Sequence, residues 1–443
     1  MKFPEHLELK SEERMAYKYI ERKNLLPFVL VTLLFSLWGF ANAVTDPMVQ
    51  AFKKVLEISN SQASWVQLAF YGGYFCMALP ASLFVRRFSY KSGIMLGLAL
   101  YGVGALLFYP AADYQQFWFF CLALYILTFG LAFLETTANP YILSLGSKES
   151  AARRLNLAQS FNPVGLLSGL LVAKFFVLSR LKSDNVSDFS LLKEADKLAI
   201  RSADLTVIKQ PYVLIGLFVL TILIVFSVSK LPSFKDDSQR SLRKTWDNMI
   251  RSKKYFAGVV AQLFNVGAQI MCWTYIYSYA EGLGIQSTIA ANYQFFALAL
   301  FLSGRILNTY LLRYFHPANL LLFFALFGCM GAAVTIFSHS IIGLYALVSL
   351  SFSMSLMFPT IYSLTLEDLD EQDAKIGASG LVMAIVGGAL MPFIQAQIID
   401  IGGSGLNDFE LWGVNEVHWS FSMPLICFVS IALFANYYIK NWK

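Results

Sequence analysis

Long apolar segments alternate with short polar ones along the whole chain. A helix that crosses a bilayer needs about 20 mostly apolar residues. The segments are too long for the strands of a membrane barrel, and they lack the alternation in polarity that such strands show. The pattern therefore predicts twelve membrane-spanning helices, numbered here span 1 to span 12: 26–50, 64–86, 93–111, 116–143, 155–178, 211–230, 256–280, 290–312, 319–338, 341–365, 376–399 and 418–440.

The composition is that of a chain lying mostly in lipid. Hydrophobic residues make up 57% of it and charged residues only 14%, whereas a soluble chain has about 25% charged residues. The mean hydropathy is +0.57. The five cysteines lie in apolar segments without a C-x-x-C pair, so we interpret them as small core residues. We predict an all-α polytopic membrane protein without a nucleic-acid partner.

Lysine and arginine are distributed unevenly between the two sets of loops. With the N-terminus inside, 24 of them lie on the inner side and 8 on the outer side. Because cytoplasmic loops carry the excess of positive charge, both termini are predicted to be cytoplasmic. The N-terminal tail has no plausible cleavage site, so we expect it to be kept. Residues 181–210 are predicted to form a long polar loop on the outer side.

The two halves of the chain resemble each other weakly. Arg154-Leu155-Asn156 is echoed by Lys375-Ile376-Gly377, and residues 140–145 are echoed by 359–364. Chance recurrence is the alternative to a repeat. Two six-helix halves related by an axis along the membrane normal are the build of the major facilitator fold, with substrate bound between them. The predicted organisation is a tail (1–24), a first six-helix half (25–230), a basic cytoplasmic linker (231–254) and a second half (255–443).

Two ionisable residues stand out within apolar spans. Inserting an ionisable side chain at the centre of a span costs about 2.5–3.5 kcal/mol of free energy, so we expect each such residue to have a structural or functional role. Glu135 in span 4 is followed by two threonines, an asparagine and a proline, which suggests a face turned to a wet cavity. We interpret it as a proton carrier; the alternative is a carboxyl group that holds a neighbouring helix. Arg305 in span 8 is expected to need an acidic or carbonyl partner. Its role is either to hold two helices together or to act as a gate.

Span 1 carries a second candidate carboxylate. Trp38, Asn42 and Asp46 share roughly one helical face with Thr45. Asp46 is interpreted as a second titrating group in the transport pathway. Since Pro47 follows it directly, Asp46 as the N-cap of a new helix is the alternative.

Amide side chains line one face of span 5, where Asn156, Gln159 and Asn162 recur every three residues. Amides donate and accept hydrogen bonds together, which suits a ligand made of hydroxyl groups. The alternative is that these amides bond to neighbouring helices. The small residues Gly165 and Gly169 in the same span predict close helix packing.

Span 7 has a similar stripe that includes aromatic residues. It consists of Gln262, Asn265, Gln269, Trp273 and Tyr277 at helical spacing. An aromatic ring beside amides suits the apolar face and the hydroxyl rim of a sugar, so Gln269 and Trp273 are predicted to bind one. Aromatic residues at this spacing also occur in helix-bundle cores, and that alternative stays open for Trp273.

Motifs for other activities are absent from the sequence. It has no G-x-x-x-x-G-K-[ST], H-E-x-x-H or G-x-S-x-G motif, and its four histidines are scattered. We therefore expect no enzymatic activity, cofactor or metal site, and a membrane-embedded enzyme or sugar sensor is a remote alternative. Without a nucleotide site, uphill transport must use an ion gradient, and buried carboxyl groups favour protons over sodium.

Five motifs carry a resemblance that covers residues 25 to 400. They are the segments 38–46, 70–75, 134–140, 154–162 and 266–273. Together they closely resemble the fucose–galactose–glucose:proton symporter family of the major facilitator superfamily. The resemblance implies a proton-coupled importer of a monosaccharide in the bacterial inner membrane, which we expect to be a monomer.

The same resemblance implies roles for particular residues. The proton-linked carboxylates of the family map onto Asp46 and Glu135, and its sugar-facing amides map onto Gln159 and Asn162. We add Asn42, Trp38, Gln269 and Trp273 as candidate sugar contacts. The expected substrate is L-fucose. Because Ala43, Pro47 and Phe358 depart from the pattern, D-glucose and D-galactose remain the alternative.

Overall fold

The computed structural model describes residues 24–56, 60–185, 192–229, 231–232, 249, 251–285, 287–401 and 410–441. These residues are almost entirely helical. One short hairpin pairs Glu410–Leu411 with Val414–Asn415. The α-helices are Leu25–Val55, Asn60–Arg87, Tyr90–Leu106, Phe108–Tyr114, Phe117–Ser144, Ala151–Gln159, Phe161–Val172, Glu194–Val228, Lys253–Thr274, Ile276–Gly282, Ser287–Leu311, Pro317–Phe337, Ile341–Met354, Met357–Leu366, Glu371–Met383, Gly387–Ile399, Glu416–Ser420 and Ser422–Asn441.

Every predicted span coincides with one helix or with consecutive helical pieces. Among the described residues, 11 helical segments are long and apolar enough to cross a membrane. The remaining predicted span, 64–86, lies in the 28-residue helix Asn60–Arg87. Spans 3, 5, 7, 10, 11 and 12 are each divided into shorter pieces, which the hydrophobic pattern did not predict.

The predicted outer loop 181–210 is wrong over its second part. A helix of 35 residues, Glu194–Val228, begins well before the apolar segment of span 6. Glu194 and Asp196 lie in its first turn, where acidic side chains favour the helix dipole. The buried carboxylate of Asp204 accepts hydrogen bonds from the backbone N–H groups of Lys182 (2.7 Å) and Ser183 (3.0 Å). The polar residues of this stretch therefore extend the helix and bind the turn that precedes it.

The described residues fall into two compact units. The first unit comprises those of Leu26–Tyr141 and Phe161–Lys235, and the second comprises those of Ile142–Ser160 and Asp236–Lys443 with Asn24 and Leu25. The second unit thus includes a segment from the first half of the sequence. Most of the predicted tail (1–24) and linker (231–254) lies outside the described residues, and the division into sequence halves stays a prediction.

Glycines bring spans 1 and 5 into close contact within the first unit. A Cβ atom at Gly39 would lie 2.0 Å from the carbonyl oxygen of Asn162, and one at Gly165 would lie 2.0 Å from that of Ser36. A Cβ atom at Gly169 would lie 2.7 Å from the carbonyl oxygen of Phe40. Small residues allow two backbones in a membrane to approach this closely. The packing role predicted for Gly165 and Gly169 is confirmed.

Gly165→Ala is expected to destabilise the protein by about 1–3 kcal/mol, because overpacking forces the two helices apart. Gly72→Ala is the matched control, since its Cβ atom would meet nothing nearer than a Tyr125 side-chain atom at 4.0 Å. The measurement is thermal unfolding of the purified protein in detergent. Equal melting temperatures for the two variants would contradict the close contact.

Candidate functional site

Glu135 lies in the long helix Phe117–Ser144 and is 8% exposed. Its Oε1 accepts a hydrogen bond from Nδ2 of Asn139 at 3.2 Å, and the same amide donates to the backbone oxygen of Glu135 at 3.0 Å. None of the ion pairs found among the described residues involves this carboxyl group. Its hydrogen-bond partner is therefore a neutral amide one turn away on the same helix.

Span 1 is attached to spans 4 and 5 through backbone carbonyl groups. The indole N–H of Trp38 donates to the carbonyl oxygen of Leu131 at 3.3 Å, one turn before Glu135. The amide of Asn162 donates to the carbonyl oxygen of Phe35 at 3.3 Å, and the rings of Phe35 and Trp38 are in edge contact at 4.5 Å. The structure therefore groups Trp38, Asn162 and Glu135 in the first unit. Because Trp38 is only 2% exposed, it packs between helices here.

The other two candidates of span 1 lie in the same helix. Asn42 is half-buried. The helix Leu25–Val55 continues through Asp46 and Pro47, so the alternative in which Asp46 begins a new helix is wrong. A proline need not end a membrane helix, because neighbouring groups can satisfy the backbone carbonyl that loses its donor. The side chain of Asp46 lies outside the described residues.

Span 5 is interrupted between Gln159 and Phe161. Proline has no N–H group, so Pro163 provides no donor for the carbonyl oxygen four residues earlier, that of Gln159. Arg305 of span 8 supplies donors instead: its Nη1 lies 3.4 Å from that carbonyl oxygen and 3.1 Å from Oε1 of Gln159. The prediction that Arg305 needs an acidic or carbonyl partner is confirmed by these contacts, and the partner is a carbonyl.

Arg305 also connects span 5 to span 7. Its side chain is 3% exposed, and its Cζ lies 4.9 Å from the ring centroid of Phe301, in cation–π geometry. The ring of Trp273 meets Phe301 edge-on, with centroids 5.1 Å apart. Gln159, Arg305, Phe301 and Trp273 therefore form a continuous series of contacts in the second unit. None of the ion pairs among the described residues includes Arg305, so this buried cation has only neutral partners there.

The polar face of span 7 is partly open at this level. Trp273 and Gln269, one turn apart, are both half-buried. The indole N–H of Trp273 donates to the hydroxyl of Ser351 at 3.1 Å, which fixes the ring orientation. A fixed aromatic ring next to a half-buried amide offers both an apolar surface and a hydrogen-bonding group. This arrangement agrees with the predicted sugar contacts, although the role itself is still a prediction.

Asn156, by contrast, connects two helices. It is fully buried, and its Nδ2 donates to the hydroxyl of Thr360 in span 10 at 3.2 Å. Nearby, Nζ of Lys148 donates to the backbone oxygen of Glu367 at 3.2 Å. Together with the Gln159–Arg305 contact, these bonds attach the segment Ile142–Ser160 to spans 8 and 10. For Asn156, the structure therefore shows the alternative interpretation, a hydrogen bond to a neighbouring helix.

Sequence reasoning missed two contributors, Phe301 and Ser351. Both lie in apolar helices where an aromatic or a small polar residue is ordinary, so the sequence held no signal for either one alone. The four-residue spacing of Phe301 and Arg305 was the available clue, since it places both on one face. Among the described residues, no group of three or more His, Cys, Asp and Glu side chains could hold a metal ion.

Comparison with known proteins identifies the class. Residues 29–392 match the Major Facilitator Superfamily, and the chain belongs to this family of membrane transporters. The structure is similar to a crystal structure of the transporter FucP in the outward conformation, with a TM-score of 0.84, 32% identity and coverage of 94% of this chain and 99% of that one. The predicted twelve-helix major facilitator fold is confirmed.

Particular relatives are similar over nearly their whole length. The L-fucose-proton symporter of Haemophilus influenzae is 49% identical over 436 residues, which cover 97% of this chain and 99% of that protein. The L-fucose-proton symporter of Escherichia coli is 33% identical over 94% of both chains. A glucose/galactose transporter of Brucella abortus is 30% identical over 91% of this chain and 92% of that protein. The resemblance carried by the five sequence motifs is confirmed.

Gln159→Met is expected to destabilise the protein by about 1.5–3 kcal/mol, because it removes a hydrogen bond to a buried charged group. In the double variant Gln159→Met/Arg305→Met the losses are expected to be non-additive by about 0.5–3 kcal/mol. Thermal unfolding in detergent measures this coupling. The pair Gln269/Arg305, which makes no direct hydrogen bond in the described structure, is the control. Strict additivity for Gln159 and Arg305 would contradict the contact.

Proposed function

We propose that this protein is a symporter that imports L-fucose together with a proton by alternating access. It would lie in the bacterial inner membrane as a monomer, with both termini in the cytoplasm. The observation that carries the proposal is Glu135, a buried carboxyl group whose partner is the neutral amide of Asn139. The names of the relatives with 49% and 33% identity support the choice of sugar and of coupling ion.

Glu135 would be the group that couples the proton to the sugar. A carboxylate buried without a cation has lost its hydration and gained no opposite charge, so protonation removes a large desolvation cost. When the cytoplasmic side opens, water reaches the carboxyl group. Hydration lowers the free energy of the ionised form, and the proton leaves. Asp46 would be a second carboxylate that must be protonated before the transporter changes its facing direction. These roles follow from the family resemblance together with the surroundings of Glu135.

The sugar would be recognised by amides and aromatic rings. Gln159, Asn162, Gln269 and Asn42 supply groups that both donate and accept hydrogen bonds, as sugar hydroxyls require. The half-buried Trp273 would provide an apolar surface for the sugar ring, whereas the predicted contact of Trp38 is not supported, because its buried ring packs between helices. In this proposal Oε1 of Gln159 keeps its hydrogen bond from Arg305, and the side-chain NH₂ of Gln159 would donate to a sugar hydroxyl.

The contacts of the segment Ile142–Ser160 would hold the cytoplasmic side closed. They join it to Arg305, Thr360 and Glu367 in the second half of the chain. For the site to open inward, these bonds must break together. Since each bond has a neutral partner on one side, water can replace it at modest cost, which suits a gate that opens in every cycle.

The second candidate is import of D-glucose or D-galactose by the same mechanism. It is favoured by Ala43 and Phe358, which replace polar groups expected in the fucose pattern, and by the 30% identity to a glucose/galactose transporter. One proton moving through 100 mV provides about 2.3 kcal/mol, enough for roughly a forty-fold gradient of either sugar.

Glu135→Gln is expected to abolish proton-driven accumulation while leaving sugar exchange within about two-fold of the native rate, because the amide cannot release a proton. The measurement compares gradient-driven uptake with counterflow in proteoliposomes, where the accumulation ratio should fall from roughly forty to about one. Glu149→Gln is the control, since Glu149 is exposed outside the spans. Native accumulation by Glu135→Gln would remove the proposed role.

Labelled L-fucose is expected to accumulate in proteoliposomes under an inward proton gradient, and excess unlabelled glucose or galactose should leave this uptake unchanged. Specificity for the sugar depends on a few hydrogen bonds whose loss leaves buried polar groups unpaired. Inhibition by glucose or galactose would transfer the assignment to the second candidate. Absence of flux for all three sugars would contradict the proposed function.

A further inference from the structure

Two amide side chains in span 7 are buried without partners. Gln262 and Asn265 are both 0% exposed. Within the described structure, neither the nitrogen nor the oxygen of either side chain has a hydrogen-bond partner. The buried amides of Asn156 and Asn308, by contrast, each donate to a hydroxyl group of span 10. An amide with no partner at either atom is unusual, because burial removes its bonds to water without replacing them.

These two residues continue the polar face that carries the candidate sugar contacts. Gln262, Asn265, Gln269 and Trp273 follow one another at intervals of three or four residues, so they lie along one side of the helix Lys253–Thr274. Exposure decreases along this side, from half-buried at Gln269 and Trp273 to fully buried at Asn265 and Gln262. The polar face therefore runs from an open region into a closed one.

Span 10 covers the end of this face. A Cβ atom at Gly258, one turn before Gln262, would lie 1.9 Å from the hydroxyl oxygen of Thr365. The same helix, Met357–Leu366, carries Thr360, which accepts the hydrogen bond of Asn156. A helix that is attached to the segment Ile142–Ser160 thus closes the inner end of the polar face. Release of that segment would allow the helix to move away from Gly258.

We propose that Gln262 and Asn265 form a second, inner binding position for the hydroxyl groups of the sugar, which the sugar occupies on its way to the cytoplasm. This inference rests on the proposed function and extends it to residues not otherwise assigned. In the closed state the two amides lack partners, which raises the free energy of that state. A hydroxyl group donates and accepts at once, so a single sugar ring satisfies both amides when the inner end opens.

An ordered water molecule offers the two amides the same hydrogen bonds as a sugar hydroxyl. The melting temperature of variants distinguishes these two partners. Asn265→Leu and Gln262→Met replace the amides with apolar groups of similar volume. If the amides have no partner in the closed state, these changes leave the melting temperature unchanged or raise it. Asn308→Leu is the matched control: Asn308 is equally buried but donates to Ser355 at 2.9 Å, so its loss should lower the melting temperature. A similar decrease for Asn265→Leu would mean that the amides hold a structural water, which overturns the proposal.

Transport by the double variant Gln262→Met/Asn265→Leu gives the second measurement. We expect binding of labelled L-fucose from the outside to stay within about two-fold of native, while net uptake by proteoliposomes falls at least ten-fold. Native uptake by the double variant would overturn the inner position and leave the proposed function intact. If the wild-type protein moved none of L-fucose, D-glucose and D-galactose, the proposed function would fail, and this inference would fail with it.

The variant Asn265→Cys measures directly whether the polar face of span 7 becomes accessible from the cytoplasmic side. In a background whose five native cysteines are replaced, Asn265→Cys should react with a membrane-impermeant maleimide added from the cytoplasmic side during sugar exchange, and excess sugar should slow that reaction. Met271→Cys is the control and should stay unreactive, because Met271 is equally buried but lies two residues from both Gln269 and Trp273, on another side of the helix. Equal reactivity at the two positions would contradict an opening that is specific to the polar face.

Discussion

The hydrogen bonding of one backbone carbonyl group, that of Gln159, begins the series of side-chain contacts that characterises the second unit. Lipid offers no donors, so a helix that breaks within a membrane leaves carbonyl groups that the protein itself must satisfy. Pro163 creates such a group at Gln159, and Arg305 satisfies it. The guanidinium group that does so is buried, and it also contacts Phe301 and, through that ring, Trp273. The break in span 5 thus determines where a cation, an aromatic platform and an amide come together.

The two candidate groups of residues differ in how they are fixed. In the first unit, Trp38 and Asn162 donate to backbone oxygens, and glycines press spans 1 and 5 together, so the helices hold the side chains. In the second unit, side chains hold one another, from Gln159 through Arg305 to Trp273. Backbone contacts thus fix the residues of the first unit, whereas a ligand can rearrange the side-chain network of the second unit by competing for individual bonds.

The sequence predicted the spans well because each needs a long apolar run, which a hydrophobic pattern reports directly. It failed at residues 194–210, where a polar stretch forms a helix, because helix extension beyond the membrane depends on local capping and on contacts such as that of Asp204. Glu135, Gln159 and Trp273 were identifiable because polar residues are costly in lipid. Phe301 and Ser351 were not, since their importance comes from neighbours on other helices. For Asn156 the residue type was informative, but its partner Thr360 decided between ligand binding and helix attachment.

The position of Asn139 has a consequence for how a charge change is transmitted. Its amide follows Glu135 by one turn of the same helix, and it also bonds to the backbone of that residue. If Glu135 carries the proton as proposed, this bond stays within one helix whether the proton is bound or released. In the proposed transport cycle, the proton would then act on the rest of the molecule through electrostatics and hydration, since it changes the free-energy cost of keeping water away from Glu135.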